Sequence, residues 1–230
     1  MTATAALPEL AARAARDLEG RPAEDVVRWA VEEFGDDLCL ASSMQDAVLV
    51  HLVSTVRAGV PVIFLDTGYH FAETIGTRDA VASAYPVRLL NVTPKQTVAE
   101  QDEDYGPRLF ERDPDLCCRL RKVEPLETAL APFQAWVSGI RREDAPTRDG
   151  VPVVQWDEKR SMVKVNPLAT WTADDHAAYA AEHGVLVNPL YGPDYPSIGC
   201  APCTRAVGPG EHPRAGRWAG HAKTECGLHS

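Results

Sequence analysis

The chain has 230 residues, 45% of them hydrophobic, and a formal charge of −10 at pH 7. That length can bury one substantial core, and the acid excess works against nucleic acid or any other polyanionic partner. No window approaches the run of about 18 apolar residues that a spanning helix needs, and the N-terminus has no basic-then-apolar signal pattern, so a soluble, cytoplasmic protein without a membrane partner is expected.

Residues 8 to 34 carry apolar positions at helical spacing, interrupted at Gly20-Arg21-Pro22, which predicts two helices capping a sheet. From residue 36 the pattern becomes strand, turn, helix: Leu38 to Ala41, the polar turn Ser42 to Asp46, then Ala47 to Val53. The alternation recurs in Val60 to Leu65 before a helix over 73–84, and in Val87 to Val92 before a helix over 95–102. Such alternation predicts an α/β fold, a parallel twisted sheet with right-handed crossovers and helices on both faces. Ligands of such sheets bind beyond the carboxyl ends of the strands, here Ser42-Ser43, Asp66-Thr67-Gly68 and Asn91-Val92-Thr93.

Further along, residues 104–116 read as a loop, 117–130 as a helix, 133–140 as a strand, 141–152 as a polar loop and 162–165 as a short strand. Thr172 followed by acidic residues predicts a capped helix to His183. The Gly- and Pro-rich stretch beyond Asn188 reads as irregular structure wrapped over a site.

Six cysteines in a chain expected in a reducing compartment suggest metal ligands or reactive thiols rather than a disulfide framework. Cys117-Cys118 and Cys200-Ala201-Pro202-Cys203 together suit zinc or an iron–sulfur cluster, and spacing does not choose between them. A vicinal disulfide is the alternative for the adjacent pair. Cys39, in an apolar strand, reads as a small buried hydrophobe. Cys226 stands apart near the end, where chains are mobile unless tied down, and Lys223 and His229 can supply positive charge favouring its thiolate.

Jointly, Cys117-Cys118, Cys200-x-x-Cys203 and Glu225-Cys226-Gly227-Leu228-His229 resemble the assimilatory adenylyl-sulfate reductases, within the wider phosphoadenylyl-sulfate reductase family. Leu65-Asp66-Thr67-Gly68, Ser138 to Glu143 and Trp218-Ala219-Gly220 extend the resemblance from about residue 36 to the end. It implies an adenine-nucleotide alpha-hydrolase-like fold with a modified phosphate loop at Ser42 to Asp46. That loop departs from the commonest family form, which has glycine near Ser43 and an acidic residue near Gln45.

The resemblance further implies a [4Fe-4S] cluster on Cys117, Cys118, Cys200 and Cys203, and adenosine 5'-phosphosulfate as substrate. Cys226 would attack the sulfur and leave an S-sulfo-cysteine, which thioredoxin would reduce. Lys122 and His229 would assist Cys226, with Arg214 and Arg217 completing an anion clamp; Ser42, Leu65, Thr67, Gly139 and Arg148 would hold the adenosine half. Arg141 and Arg142 are weaker candidates, and His70, His176 and His183 read as structural. With four thiols on iron and Cys39 buried, Cys226 has no resolving partner in a chain ending at Ser230, so an external dithiol is expected.

One domain over 1–230 is expected: N-terminal helices over 1–35, a nucleotide-binding core over 36–190, and a cluster-binding, catalytic segment over 191–230. Oligomeric state is left open, a homo-oligomer included. Three alternatives stand beside this reading: the same chemistry on 3'-phosphoadenylyl sulfate, an ATP-dependent adenylating or thiolating enzyme of the same fold, and a non-enzymatic zinc module.

Overall fold

The computed structural model describes residues 3–221 and 223–228. Helices α1 (Ala3–Asp17) and α2 (Ala23–Phe34) flank the expected break and lead to β1 (Leu38–Ala41), α3 (Val48–Val56), β2 (Pro61–Leu65), α4 (Ala72–Ala84) and β3 (Arg88–Val92). The next helix, α5 (Val98–Tyr105), starts later than expected because Thr97 and Glu100 form a reciprocal capping box. The segment read as a loop holds two short helices, α6 (Leu109–Arg112) and α7 (Pro114–Cys118). Asp113 starts α7 by accepting the Leu116 N–H at 2.9 Å, with Pro114 preset in the first turn.

A π-helical turn, Arg119–Val123, joins α7 to α8 (Glu124–Leu130), and the Glu124 N–H reaches back to the Arg119 carbonyl. Pro125 explains the widening, since it lacks an N–H for the Arg121 carbonyl and its ring would press against that group in a regular helix. The remaining elements are β4 (Ala135–Ser138), β5 (Val154–Asp157), β6 (Met162–Val165) and α9 (Ala173–Glu182), the last capped reciprocally by Thr172 and Asp175.

The strand order is β3-β2-β1-β4-β6-β5. Five strands are parallel as expected, but β5 pairs antiparallel with β6, so the sheet is mixed. The hairpin escaped sequence reading because its turn has no Gly or Pro. Ser161 takes the left-handed conformation at φ +52°, and an Arg160–Asp157 ion pair at 2.9 Å closes the turn.

Alternation along the strands divides the core in two. Leu38, Leu40, Val62, Phe64, Ala135 and Val137 face one way, packing with the buried sides of α1, α2 and α3. Cys39, Ile63, Trp136 and Met162 face the other, against Leu126 and Leu130 of α8. The expected cap over 8–34 thus contributes directly to the larger core. Each fully buried large side chain here stabilises by roughly 1.5–3 kcal/mol.

Strand order reverses between β1, which leads outward to β2 and β3, and its other neighbour β4. A crevice opens at such a reversal, beyond the carboxyl ends. Ala41 pairs with Ser138 in the register, so Ser42 and Gly139 leave the sheet side by side at its rim.

Candidate active site

The turn after β2 links the two cysteine groups. Arg121, 3% exposed, donates from Nε to the Thr67 carbonyl at 2.6 Å and from Nη1 to Gln101 Oε1 at 3.0 Å. On the other side the Ala201 N–H donates to the Tyr69 carbonyl at 2.7 Å, and Thr67 Oγ1 lies 3.2 Å from Cys200 Sγ. The helix carrying Cys117 and Cys118 and the turn carrying Cys200 and Cys203 therefore clasp one short segment. Gly68, at φ +74°, permits this: a Cβ there would come within 3.1 Å of Arg121 Nη2.

All four thiols are free. Burial, reinforced by Cys118, Cys200 and Cys203, pushes the Cys117 thiol up to about 12. Burial and Cys200 push Cys203 to about 11. Thiols that raise one another in this way are close neighbours, and a cation binding them must displace protons. Among the described residues, no three His, Cys, Asp or Glu side chains converge on one ion-sized point.

The surroundings suit an electron-rich sulfur group. Trp218, with its backbone at φ +47°, donates its N–H to the Cys203 carbonyl at 3.0 Å. Its buried indole N–H and the Arg217 Nε have no acceptor. A bulky residue in the left-handed region is strained, and such strain collects at functional sites. Arg217 lies against Trp218, its guanidinium carbon 4.6 Å from the ring centroid, and a Cβ on Gly199 would clash with it at 2.5 Å. Four thiols ringed by unpaired donors and by Arg121, Lys122 and Arg217 fit an anionic iron–sulfur cluster.

A cavity of about 600 Å³ opens at the sheet's carboxyl edge. Ser42, Leu65, Thr67, Gly139, Arg148, Lys122, Arg214, Arg217, Cys200 and Cys226 all line it. Cys117, Cys118 and Cys203 do not line it, and His229 falls outside the described residues. Cys39 is fully buried, as expected, and burial raises its thiol.

The phosphate loop is shaped without the glycine of the commonest form. Met44 itself takes φ +58° and is fully buried. Gln45 Oε1 accepts the Ile198 N–H at 2.9 Å, fastening the loop to the C-terminal segment. Asp46 Oδ1 accepts the Val48 N–H at 3.0 Å at the start of α3, and lies 3.3 Å from His176 Nε2. The start of α3 is therefore met by a carboxylate of the chain itself.

Lys122 is half-buried at the cavity wall. Burial disfavours its charge, yet its pKa is raised overall by Cys200, Cys226 and Cys118. Lys223 pairs with Asp115 and lies 5.6 Å from the Trp218 ring centroid. Arg148 grips Glu225 through two nitrogens, at 2.9 and 3.0 Å, and Arg214 adds a contact at 3.3 Å. Leu228 packs against the cluster of Trp136, Leu126 and Ile63. The half-buried Cys226 is thus held in a tail tied down at three points.

Several cavity residues had no assigned role in the sequence. Glu225 is buttressed by Arg148, which also pairs with Asp144 at 3.1 Å; Asp144 in turn holds Arg141 at 2.6 Å. Arg141 lines the cavity with a buried Nη1 lacking a partner, whereas Arg142 pairs with Glu19 away from it. His70 and His176, read as structural, both line the cavity; His70 Nε2 lies 2.8 Å from the Leu65 carbonyl. His183 packs on Tyr179, its ring centroid 4.3 Å away, and does not line the cavity. The only signal for Glu225 was its place beside Cys226.

Residues 38–206 match the phosphoadenosine phosphosulfate reductase domain. The adenosine 5'-phosphosulfate reductase of Streptomyces coelicolor is 59% identical over 226 residues, covering 98% of this chain and 96% of its own. That of Mycobacterium tuberculosis is 57% identical over 241 aligned residues, covering 97% and 95%. Among solved structures, the phosphoadenylyl-sulfate reductase of Candida auris aligns with a TM-score of 0.72 at 29% identity, covering 86% of this chain and 97% of that one. The FMN adenylyltransferase of Candida glabrata, with a TM-score of 0.56 at 14% identity over 80% of this chain and 64% of that one, shares the fold alone.

Proposed function

Because the chain belongs to the phosphoadenosine phosphosulfate reductase family, we propose that the cavity at its sheet edge reduces adenosine 5'-phosphosulfate to sulfite and AMP, in sulfate assimilation. One observation carries the reading: Cys226 shares a single cavity with Lys122, Arg214 and Arg217, at the rim formed by Ser42 and Gly139. A thiolate meeting an anionic substrate needs cations already in place, and these three supply them.

The Cys226 thiolate attacks the sulfur of the phosphosulfate; its S–O bond breaks, AMP leaves and Cys226 carries a sulfonate. A thioredoxin dithiol then attacks the Cys226 sulfur and expels sulfite, the electrons coming from that dithiol. Lys122, Arg214 and Arg217 stabilise the oxygens on which charge accumulates. Ser42, Leu65, Thr67 and Gly139 seat the adenosine, and His229 remains part of the proposed catalytic set.

Cys117, Cys118, Cys200 and Cys203 would hold a [4Fe-4S] cluster, which when bound supplies fixed charge and rigidity beside Lys122. The same reading takes residues 1–230 as one reductase domain, its last forty or so residues closing the site.

Relatives at 57–59% identity carry the adenosine 5'-phosphosulfate name, against 29% for the phosphoadenylyl-sulfate relative, which favours the substrate without a 3'-phosphate. The deciding experiment compares sulfite release from the two substrates on anaerobically purified, iron-loaded protein with thioredoxin. Faster release from adenosine 5'-phosphosulfate is expected; preference for the 3'-phosphorylated substrate, or release from neither, overturns the reading.

A further inference from the structure

We propose that Glu225 is the positioning residue of the Cys226 thiol: clamped by Arg148 and Arg214, its carboxylate holds the tail shut with the nucleophile on the cavity wall. The proposal rests on the reading of Cys226 as nucleophile and goes beyond it by assigning its neighbour a separate task.

The contacts have the geometry of a built latch. Arg148 Nε and Nη2 meet the two Glu225 oxygens at 2.9 and 3.0 Å, a two-point pairing that fixes orientation as well as distance. Thr147 Oγ1 donates to the same carboxylate at 3.3 Å, and Arg214 adds its contact at 3.3 Å from another segment. The side chains are only 12% and 22% exposed, so solvent screens the pair far less than a surface ion pair. Arg148 is itself held through Asp144 to Arg141, so the latch is anchored to the loop after β4 rather than to a free side chain.

Two further observations favour a latch over a carboxylate that merely fills an empty anion site. With Glu225 seated, about 600 Å³ still lies open in front of Cys226, within the roughly 300–1,000 Å³ usual for small-molecule sites. The residues on either side of it are also fastened, Lys223 to Asp115 and Leu228 to the apolar side of the sheet, so the closed tail is one consistent arrangement. An opened tail, by contrast, exposes Cys226 to a second protein.

The test uses iron-loaded full-length protein and the Glu225→Gln and Glu225→Asp variants. Three quantities are read: the rate of Cys226 alkylation by iodoacetamide without ligand, followed by peptide mass; AMP affinity; and the single-turnover rate of Cys226 sulfonate formation at saturating substrate. For Glu225→Gln, alkylation several-fold faster, sulfonate formation slower by about 10-fold or more, and AMP affinity within about 2-fold of wild type are expected. Glu225→Asp, which keeps the charge, is expected to recover part of the lost rate. Tighter AMP binding with undiminished sulfonate formation would make Glu225 a competitor for the anion site and overturn the proposal. So would unchanged alkylation and sulfonate formation in both variants. Failure of wild-type protein to form the sulfonate would instead defeat the nucleophile reading, while alkylation still judges the latch.

Discussion

Thr67 Oγ1 lies 3.2 Å from Cys200 Sγ, joining the carboxyl end of β2 to the turn that carries half of the cysteine quartet. The same residue's carbonyl accepts from Arg121, so Thr67 touches both halves of the proposed cluster site and also lines the cavity. A nucleotide in the proposed site and a cluster on the proposed thiols would both adjoin this one turn.

Thr67→Val keeps the shape and deletes the hydroxyl. Loss of this contact to a sulfur of the proposed cluster site is expected to lower iron retention or turnover by about 10-fold, with the fold intact. Iron per chain after gel filtration, alongside circular dichroism, checks it.

Cys226→Ser removes the thiol while retaining its bulk. Sulfite release should be abolished and no sulfonate adduct should appear by intact mass. AMP binding should persist within about 2-fold, because the proposed adenosine contacts at Ser42, Leu65 and Gly139 are unchanged by the substitution. Residual thioredoxin-dependent turnover would reject Cys226 as nucleophile.

Arg121→Met leaves the Thr67 carbonyl and Gln101 Oε1 buried without their donor. Stranded polar groups cost about 1–3 kcal/mol each, so a fall in stability of about 2–4 kcal/mol is expected in urea unfolding of metal-free protein. Iron loading should fall with it, since the lost cation faces Cys117.

Burial, with help from Arg160 and Arg148, pushes the Lys164 amine down to about 8 from its ordinary 10.5; Asp157 and Glu225 oppose the change. Between those two values the unfolded chain binds more protons than the fold, so stability from this group rises with pH across that window. Below it the full penalty is felt, up to about 3 kcal/mol at neutral pH. Lys164→Met keeps the packing over Trp136, where the amine lies 5.0 Å from the ring centroid, and removes the penalty. The variant should melt higher than wild type at pH 7, and the gap should narrow by pH 10. A gap independent of pH would show that burial of the charge is not its source.

Much of the fold was legible because β1, β2 and β4 are each short apolar runs bounded by turn residues, as strands buried on both faces are. Leu38, Cys39 and Leu40 alternate between two cores, and the polar residues after each strand mark its carboxyl end. The β5–β6 hairpin was not legible, since a turn through Ser161 has no residue type that announces a positive φ. The late start of α5 and the short helices before Cys117 were missed for a related reason: reciprocal caps and single turns depend on local side-chain bonds more than on periodicity.

By itself the sequence determined the parallel strands, their polar carboxyl ends, and which cysteines belong in a group and which stands alone, because these are properties of residue type and spacing along one chain. Only the tertiary structure decided who meets whom across long separations. It set Arg148 on Glu225, Gln45 on the Ile198 backbone, and Lys223 on Asp115. A charged side chain reads in sequence as a charge of known sign, while its partner is chosen by which oppositely charged group the folded backbone brings within about 3 Å.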